Sequence, residues 1–278
     1  MNKIKKYKIP IIYLVLLIGL AFSLFPYIWM VLSSFKVSEE IYTQFIPTKL
    51  TLENYSFLFK GGSGQERNFL YGIVNSLIVS VIPTISVIFF GVLTAYAFRR
   101  LKIFGYKIYE NFIIYQMLFP GVLFLVPLFL LMRDWGLINT YTSMVLRYLI
   151  DPWAIFIYTQ FFKTIPESLL ESARIDGASE FQIIFKIMLP LSKTTTAIVA
   201  LFTFMARWSD FLWPLIVNKE YGKMPLSVLL ALFTKGGYQQ YPGVQMAGAT
   251  LLTLPIVIIF IVFRKYFAKG INFTGLKG

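Results

Sequence analysis

The 278-residue sequence contains no cysteine and no histidine. Without cysteine the chain forms no disulfide bond and offers no thiolate to a metal ion. Without histidine it lacks the usual base of a hydrolase triad and the commonest metal ligand. The pattern G-x-x-x-x-G-K-[ST] is also absent, so the chain is not expected to bind ATP through a P-loop of its own. Together these absences exclude most classes of enzyme.

Charged residues are scarce as well. They make up 14% of the chain, whereas 57% of its residues are hydrophobic and its mean hydropathy is +0.69. A soluble domain of this length needs far more polar surface, so the composition predicts an integral membrane protein. Six apolar stretches have about twenty residues or more, the length that crosses a hydrocarbon core of about 30 Å. The predicted spans are residues 9–35, 69–98, 107–132, 141–162, 194–217 and 244–263.

Basic residues outnumber acidic residues by 26 to 13, and they are concentrated on one side of the predicted spans. The amino terminus, the loop around 99–107 and the tail after residue 264 are basic, while the segment 36–67 is neutral. Because basic loops stay in the cytoplasm, both termini and the loop that contains Glu171 are predicted to be cytoplasmic. The first span, 9–35, is too long for a signal peptide and is expected to stay uncleaved. Nucleic-acid binding is not indicated, since the bases form no continuous face.

A polar segment, residues 163–193, separates two of the apolar stretches and has the pattern helix–glycine–helix. Gly177 supplies a turn that a residue with a Cβ atom would resist, and Ser179 can cap a second helix that ends before Pro190. A membrane protein places such a segment in water, where it can dock a partner. Its charged residues are Lys163, Glu167, Glu171, Arg174, Asp176, Glu180, Lys186 and Lys193.

This polar segment resembles the "EAA loop" of the membrane subunits of ATP-binding-cassette importers, written E-A-A-x-x-D-G-A and closed by a proline. The sequence departs from that pattern at Ser172, where alanine is usual. In the family the loop forms coupling helices that sit in a groove of the ATPase subunit. The resemblance therefore implies an ATPase-coupling role for Glu171, Ala173, Asp176, Gly177, Ala178, Phe181, Phe185 and Pro190.

Further blocks resemble the permeases of carbohydrate importers. Residues 95–101 read Ala-Tyr-Ala-Phe-Arg-Arg-Leu, and residues 208–215 read Trp-Ser-Asp-Phe-Leu-Trp-Pro-Leu, with Ser209 in place of the usual asparagine. The tail from residue 264 looks like that of the smaller maltose permease subunit. The resemblance implies an all-α integral membrane protein with six transmembrane helices and the type I ABC importer permease fold. It also implies one transmembrane domain over 1–278, with a core region at 69–264 and a cytoplasmic tail at 265–278.

The same resemblance implies the partners. The chain would be one half of a heterodimeric permease in a bacterial cell membrane, importing a carbohydrate, with an oligosaccharide as the expected cargo. Its partners would be a second related permease subunit, two ATPase subunits and an extracytoplasmic substrate-binding protein. No cofactor or metal is expected on this chain, because ATP and Mg belong to the ATPase. The binding protein is expected at Gly236, Gly237, Tyr238, Gln239 and Gln240, and the ATPase-contacting tail at Lys269, Gly270 and Lys277.

Charged residues inside the predicted spans have two readings. Arg147 and Asp151 lie four apart, and Arg207 and Asp210 lie three apart, spacings that place each pair on one face of a helix. Such residues either line a sugar path or form neutralising ion pairs that fix the packing, and the sequence leaves both open. Tyr148, Trp208 and Trp213 can stack on sugar rings, although Trp213 can equally anchor a span at the membrane interface. The candidate substrate path is Arg147, Tyr148, Asp151, Trp208 and Asp210.

Two other interpretations concern the neutral segment 36–67 and the energy source. The segment is either an amphipathic element on the outer membrane surface or a contact for the binding protein. The chain could also be a secondary transporter that uses an ion gradient, with Asp151 as its titratable acid. Arg147 lies within reach of Asp151 in sequence and no internal repeat is evident, so the ATP-driven importer is the preferred hypothesis. A membrane enzyme is less favoured still, because no cluster of acidic or metal-binding residues is evident.

Overall fold

The structure is a computed structural model that describes residues 2–60, 68–235 and 241–274. Within these residues every regular element is helical. Two π-helical turns, Ala97–Leu101 and Ile183–Met188, continue α3 and α9. The α-helices are α1 (Asn2–Ser34), α2 (Glu53–Lys60), α3 (Phe69–Tyr96), α4 (Tyr106–Leu118), α5 (Leu125–Asp134), α6 (Tyr141–Val145), α7 (Pro152–Phe162), α8 (Glu167–Ile175), α9 (Glu180–Gln182), α10 (Leu189–Leu191), α11 (Lys193–Trp208), α12 (Leu212–Val217), α13 (Leu226–Lys235) and α14 (Pro242–Thr274).

Three helical stretches are long and apolar enough to cross a membrane, namely Ile12–Ser34, Phe69–Leu101 and Pro242–Lys265. Two bent helix pairs have the same combined length and composition, which raises the number of candidate spans to five if each pair crosses once. The all-helical membrane architecture expected from composition is confirmed at this level. The count of six spans stays a prediction.

The first bent pair replaces the predicted span 107–132. Its two parts, Tyr106–Leu118 and Gly121–Asp134, meet at 95°. Phe119 has an extended backbone with φ −83° and ψ 127°, because the ring of Pro120 disfavours the helical conformation in the residue before it. The apolar stretch is therefore continuous in composition but broken in direction.

The predicted span 141–162 is also interrupted. Leu146–Tyr148 forms a short 3₁₀ turn after α6, and Asp151 is extended, with φ −127° and ψ 117°. The Asp151 carboxylate accepts a hydrogen bond from the Trp153 backbone N–H at 2.8 Å, and Pro152 is the first residue of α7. These are the residues that start a helix. The prediction that Arg147 and Asp151 share one helix face is therefore wrong.

The second bent pair changes the expected role of Pro190. The helical stretch Glu180–Leu191 runs through this proline and turns by 80° at Ser192 into Lys193–Trp208. A π turn at Ile183–Met188 precedes it, and in this wider turn Leu189 N–H donates to the carbonyl of Ile184. The prediction that the helix ends before Pro190 is wrong, because the displaced hydrogen-bond pattern tolerates a residue that has no N–H.

The chain divides into two compact units. One consists of Met1–Phe69 and Leu230–Leu254, and the other of Leu70–Leu229 and Pro255–Gly278. The single domain over 1–278 stays a prediction. In the second unit, one apolar core joins α3, α7, α8 and the π turn Ile183–Met188, and a second core surrounds Met132, Met144 and Trp213.

In the first unit, the segment after α1 folds back as a cap on the end of that helix. Ile41 and Leu58 are buried, and the Asn54 side-chain amide donates to the backbone carbonyls of Ser34 and Lys36 at 3.0 and 2.8 Å. Lys36 is completely buried and donates to the carbonyl of Gln44 at 2.6 Å. The described part of the segment is therefore a folded cap on the end of α1, and both its location on the outer membrane surface and a contact with a binding protein stay predictions.

Candidate functional site

The first helix of the polar segment is α8, which packs on the core through one buried side chain and ends at a glycine turn. Leu170 is completely buried in the core that holds α3 and α7. At the other end of α8, Gly177 has φ +82°, in the left-handed region that glycine adopts without strain. The N–H groups of Gly177 and Ala178 donate to the carbonyls of Arg174 and Ala173 at 3.0 and 2.9 Å. This is the Schellman arrangement, which closes a helix and reverses the chain.

The next helix starts with a reciprocal cap. Gln182 N–H donates to Ser179 Oγ at 3.3 Å, and Ser179 N–H donates to Gln182 Oε1 at 2.9 Å. This capping box satisfies two N–H groups at the start of α9. The glycine turn at Gly177 and the cap at Ser179 are therefore present as the sequence predicts.

The tip of the polar segment exposes apolar side chains beside acids. Ile175 is 86% exposed and Phe181 is 68% exposed, although both are large hydrophobic residues. Glu171 and Asp176 are exposed on the same short stretch, whereas Ala173 and Ala178 pack against the core. Phe185 is partly covered and stacks on Phe89, with ring centroids 6.0 Å apart. Pro190 is exposed and lies beyond the π turn. Exposed apolar groups at a fixed turn are typical of a docking surface.

Arg100 ties the polar segment to the end of α3. Its guanidinium donates to the backbone carbonyls of Phe162 and Ile165, each at 2.5 Å, and to the Glu167 carboxylate at 2.5 Å. The Arg100 side chain is only 7% exposed, so these bonds are largely shielded from water. The donors of a guanidinium are held in one plane, so Arg100 can bond several acceptors in a fixed arrangement, which the rotating ammonium group of a lysine would not define.

A second connection runs from α3 to α8 and α9. The Arg174 guanidinium lies 2.9 Å from Glu180 and 3.6 Å from Glu167, and the Tyr96 hydroxyl donates to Glu180. The hydrogen bond from Arg174 holds the pKa of the Glu180 carboxyl below its ordinary value, so this carboxylate is ionised at neutral pH. Sequence reasoning missed Tyr96 and Arg100 as part of this site, and the only signal was their place in the block 95–101.

A separate group of residues, the Tyr148 cluster, consists of Arg147, Tyr148, Arg207, Asp210 and Trp213. The Tyr148 hydroxyl donates to Asp210 at 2.6 Å, and the Arg207 guanidinium carbon lies 3.7 Å from the centre of the Tyr148 ring. The Arg147 guanidinium lies 4.8 Å from that ring and 4.7 Å from the ring of Trp213. Arginine is attracted to aromatic faces at such distances. Three residues of the candidate substrate path therefore lie together, because Tyr148 contacts both Arg147 and Asp210.

The two arginine–aspartate pairs considered in the sequence analysis do not form ion pairs in the structure. Among the residues that the structure describes, the ion pairs join other side chains, and neither Arg147 with Asp151 nor Arg207 with Asp210 is one of them. Asp151 instead caps α7. The alternative of an ion pair within the chain is thus wrong, and the lining of a path stays the prediction for these residues.

Two cavities lie beside the Tyr148 cluster. The first has a volume of about 540 Å³ and is lined by Arg147, Asp151, Trp153 and Gln116 among apolar residues. The second has a volume of about 470 Å³ and is lined by Asp151, Trp153, Thr203 and Arg207, again among apolar residues. Asp151 and Trp153 border both. Sequence reasoning missed Trp153, whose place directly after Asp151-Pro152 was the available signal.

The other two tryptophans considered for sugar stacking are core residues. Trp208 is 1% exposed and stacks on Phe204 at 5.7 Å, so the structure does not bring it to either cavity. Trp213 is equally buried, and its indole N–H donates to the Ser143 carbonyl at 2.8 Å. The interpretation of Trp213 as an interfacial anchor is therefore wrong, because its ring lies inside the protein.

Some predicted site residues have no structural test. Gly236, Gly237, Tyr238, Gln239, Gln240 and Lys277 lie outside the described residues. Lys269 and Gly270 belong to the last turns of α14, and their contact with an ATPase stays a prediction. Among the described residues, no group of three or more acids is placed to hold a metal ion.

Comparison with known proteins supplies the family. Residues 87–273 match the family model of the binding-protein-dependent transport system inner membrane component. The arabinooligosaccharides transport system permease protein AraQ of Halalkalibacterium halodurans is 32% identical, over 97% of this chain and 98% of AraQ.

Two solved structures share the fold. One is a bacterial ABC transporter involved in the import of the acidic polysaccharide alginate, which matches 96% of this chain and 99% of its own with a TM-score of 0.83 and 23% identity. The other is a bacterial alginate ABC transporter in complex with an alginate pentasaccharide-bound periplasmic protein. It matches 95% of this chain and 96% of its own, with a TM-score of 0.62 and 14% identity.

Proposed function

Because the chain belongs to the family of binding-protein-dependent transport system inner membrane components, we propose that it is a permease subunit of an ATP-driven carbohydrate importer. Subunits of this family are transport components and not enzymes, and they have no cofactor of their own. The relative is named for arabinooligosaccharides and one structural neighbour imports alginate, so an oligosaccharide is the proposed cargo. The chain lies in the bacterial cell membrane and crosses it several times.

The exposed tip of the polar segment carries the proposal. Ile175 and Phe181 expose apolar surface that a partner could cover, and Glu171 and Asp176 beside them offer charged contacts. We infer that this tip docks into a groove of the ATPase subunit, which holds ATP and Mg. The glycine turn and the capping box keep the tip in one shape, so docking need not order it.

The connections of the tip suggest how ATP-driven closure reaches the membrane. A movement of α8 and α9 would act on α3 through Arg100 and through Tyr96, and on α7 through the buried Leu170. Because packed helices move as rigid bodies, the expected result is a change of access to a cavity at the interface with a second related permease subunit. ATP binding would favour the outward-facing state only if that state binds the closed ATPase more tightly.

The topology of the proposal has six spans. Three are the long apolar helices, the fourth is the first bent pair, the fifth is the stretch 194–217 that follows the polar segment, and the sixth is the interrupted stretch 141–162. Both termini and the polar segment would be cytoplasmic. The binding protein would contact the opposite side, at the loop 236–240 and the cap 36–60, and the tail with Lys269, Gly270 and Lys277 would reach between the two ATPase subunits.

The test is a reconstituted importer. The chain is purified with its second permease subunit and the ATPase, inserted into proteoliposomes, and supplied with ATP inside and a labelled oligosaccharide with its binding protein outside. The proposal expects uptake that requires both ATP and the binding protein. Uptake that is driven by an ion gradient without ATP would contradict it and would favour a secondary transporter.

A further inference from the structure

Among the residues that the structure describes, the Arg147 guanidinium has no carboxylate partner. It lies against the rings of Tyr148 and Trp213, and it borders the first cavity. Its Nη1 atom is buried and has no hydrogen-bond partner among the described residues. The Arg147 side chain as a whole is half-buried. Charged residues in a segment predicted to cross a membrane usually serve a ligand or a pathway.

The neighbouring carboxylates are engaged elsewhere. Asp151 accepts the backbone N–H of Trp153, and it lies at the N-terminus of α7, where the helix dipole favours a negative charge. Asp210 accepts the Tyr148 hydroxyl, and the Arg207 guanidinium lies over the same ring. Neither Arg147 nor Arg207 forms an ion pair with a carboxylate of the described residues, and of the two it is Arg147 that borders the first cavity.

The remaining lining of the first cavity suits a sugar ring. Trp153 offers an apolar face for the C–H surface of a pyranose, and Gln116 offers hydrogen bonds for hydroxyl groups. We propose that this cavity binds a saccharide that carries a carboxylate, that is, an oligosaccharide containing uronic acid, with Arg147 as the counter-ion of the carboxylate. A guanidinium pairs with a carboxylate through two parallel hydrogen bonds, which gives both affinity and orientation. The inference rests on the proposed function and names its substrate class.

The experiment compares one saccharide with and without its charge. Binding of trigalacturonate and of its fully methyl-esterified form is measured by calorimetry on the purified permease–ATPase complex, without binding protein, so that this subunit's own preference is observed. We expect the acid to bind about tenfold to a hundredfold more tightly than the ester, the range of a charge-assisted hydrogen-bonded pair. The Arg147→Gln variant should lose this preference, and Arg147→Lys should keep part of it. Equal affinity of the original complex for the two forms would overturn the inference.

Two controls separate a ligand site from a structural role. Arg133→Gln removes an arginine whose ion pair with Asp134 is exposed, and it should keep the preference for the acid. Because Arg147 contacts two aromatic rings but no carboxylate among the described residues, Arg147→Gln should lower the unfolding temperature by a few degrees at most. A strongly lowered unfolding temperature would show that Arg147 has a structural partner and would overturn the inference.

Uptake measurements on the reconstituted importer distinguish a failure of this inference from a failure of the proposed function. ATP-dependent uptake of trigalacturonate would support both. ATP-dependent uptake of neutral oligosaccharides alone would overturn the inference and leave the proposed function standing. ATP hydrolysis without uptake of any saccharide would overturn both.

Discussion

The polar segment and the Tyr148 cluster belong to the same compact unit of the chain, but their charges are paired in opposite ways. In the polar segment, Arg100 and Arg174 each contact a carboxylate, and Glu167 and Glu180 each accept an arginine. In the Tyr148 cluster the arginines contact aromatic rings and form no ion pair with a carboxylate of the described residues. Single buried nitrogens without a hydrogen-bond partner occur in both groups, at Arg100 Nε and at Arg147 Nη1, so the difference lies in the pairing of the charges.

This difference in charge pairing indicates that the two regions have different roles. A network whose charges are paired within the chain holds its helices in one arrangement, which suits a part that transmits movement. A cluster whose arginines have no carboxylate partner, and which borders cavities, can accept a charged group of a ligand, which suits a part that contacts cargo. Changes in the polar segment should therefore affect coupling to ATP, and changes in the Tyr148 cluster should affect binding or stability.

The largest effect is expected from Gly177→Val. Valine is strained by about 1–3 kcal/mol in the left-handed conformation that Gly177 adopts, so the turn must change shape and the tip should no longer fit its partner. No atom lies within 4 Å of the position that a Cβ would take, so the strain comes from the backbone alone. We expect uptake to be abolished while membrane insertion stays normal.

Gly177→Asn is the matched control, because asparagine tolerates the left-handed conformation better than other residues. It should retain most of the uptake. Normal uptake by the valine variant, at normal expression, would remove the shape of this turn from the mechanism.

A smaller effect is expected from Arg100→Gln. This change removes the bonds to two backbone carbonyls and to Glu167, and leaving buried acceptors unsatisfied costs about 1–3 kcal/mol. The connection between α3 and the polar segment should loosen, so that fewer saccharide molecules are transported for each ATP hydrolysed. The measurement is the ratio of uptake to ATP hydrolysis in proteoliposomes.

Arg133→Gln serves as the control for Arg100→Gln, since the ion pair of Arg133 with Asp134 is more than half exposed and is worth little. It should leave the ratio unchanged. An unchanged ratio in Arg100→Gln as well would mean that the polar segment is coupled through its apolar core alone.

The smallest effect is expected from Tyr148→Phe, which removes the hydrogen bond to Asp210 but keeps the ring that Arg147 and Arg207 contact. The loss should destabilise the complex by about 1–3 kcal/mol, observed as a lower midpoint of thermal unfolding in detergent. Tyr71→Phe, at a ring that is more than half exposed, should leave the midpoint unchanged. Equal midpoints for the two variants would show that the Tyr148–Asp210 bond does not stabilise the cluster.

The sequence predicts the features that depend on neighbouring residues. Gly177 and Ser179 act through bonds to residues at most five positions away, so the turn and the cap follow from local rules. Asp151-Pro152 is the same kind of local signal for the start of a helix. The surrounding apolar composition favours one continuous span and so conceals this signal.

The long-range features do not follow from the sequence. Arg100 contacts residues 62 to 67 positions away, and Tyr96 contacts Glu180 across 84 positions, distances at which no local rule selects a partner. The sequence predicts a helix that ends before Pro190, and this prediction is wrong because the π turn that precedes the proline has no recognised sequence signature. The spacing of Arg147 and Asp151 leaves open an ion pair between them, but the break at Asp151 directs Arg147 to Tyr148 and Trp213 instead.

The central claim, that the polar segment docks to an ATPase, can be tested directly by cross-linking. The chain has no cysteine, so Ile175→Cys places a single thiol on the exposed tip. A short reagent that joins this thiol to a lysine is applied to the purified permease–ATPase complex, and Asp134→Cys provides an exposed thiol far along the chain from the tip. The account predicts a cross-link to the ATPase subunit from residue 175, with a yield that changes when ATP is bound, and none from residue 134. A cross-link to the ATPase from residue 134 and none from residue 175 would contradict it.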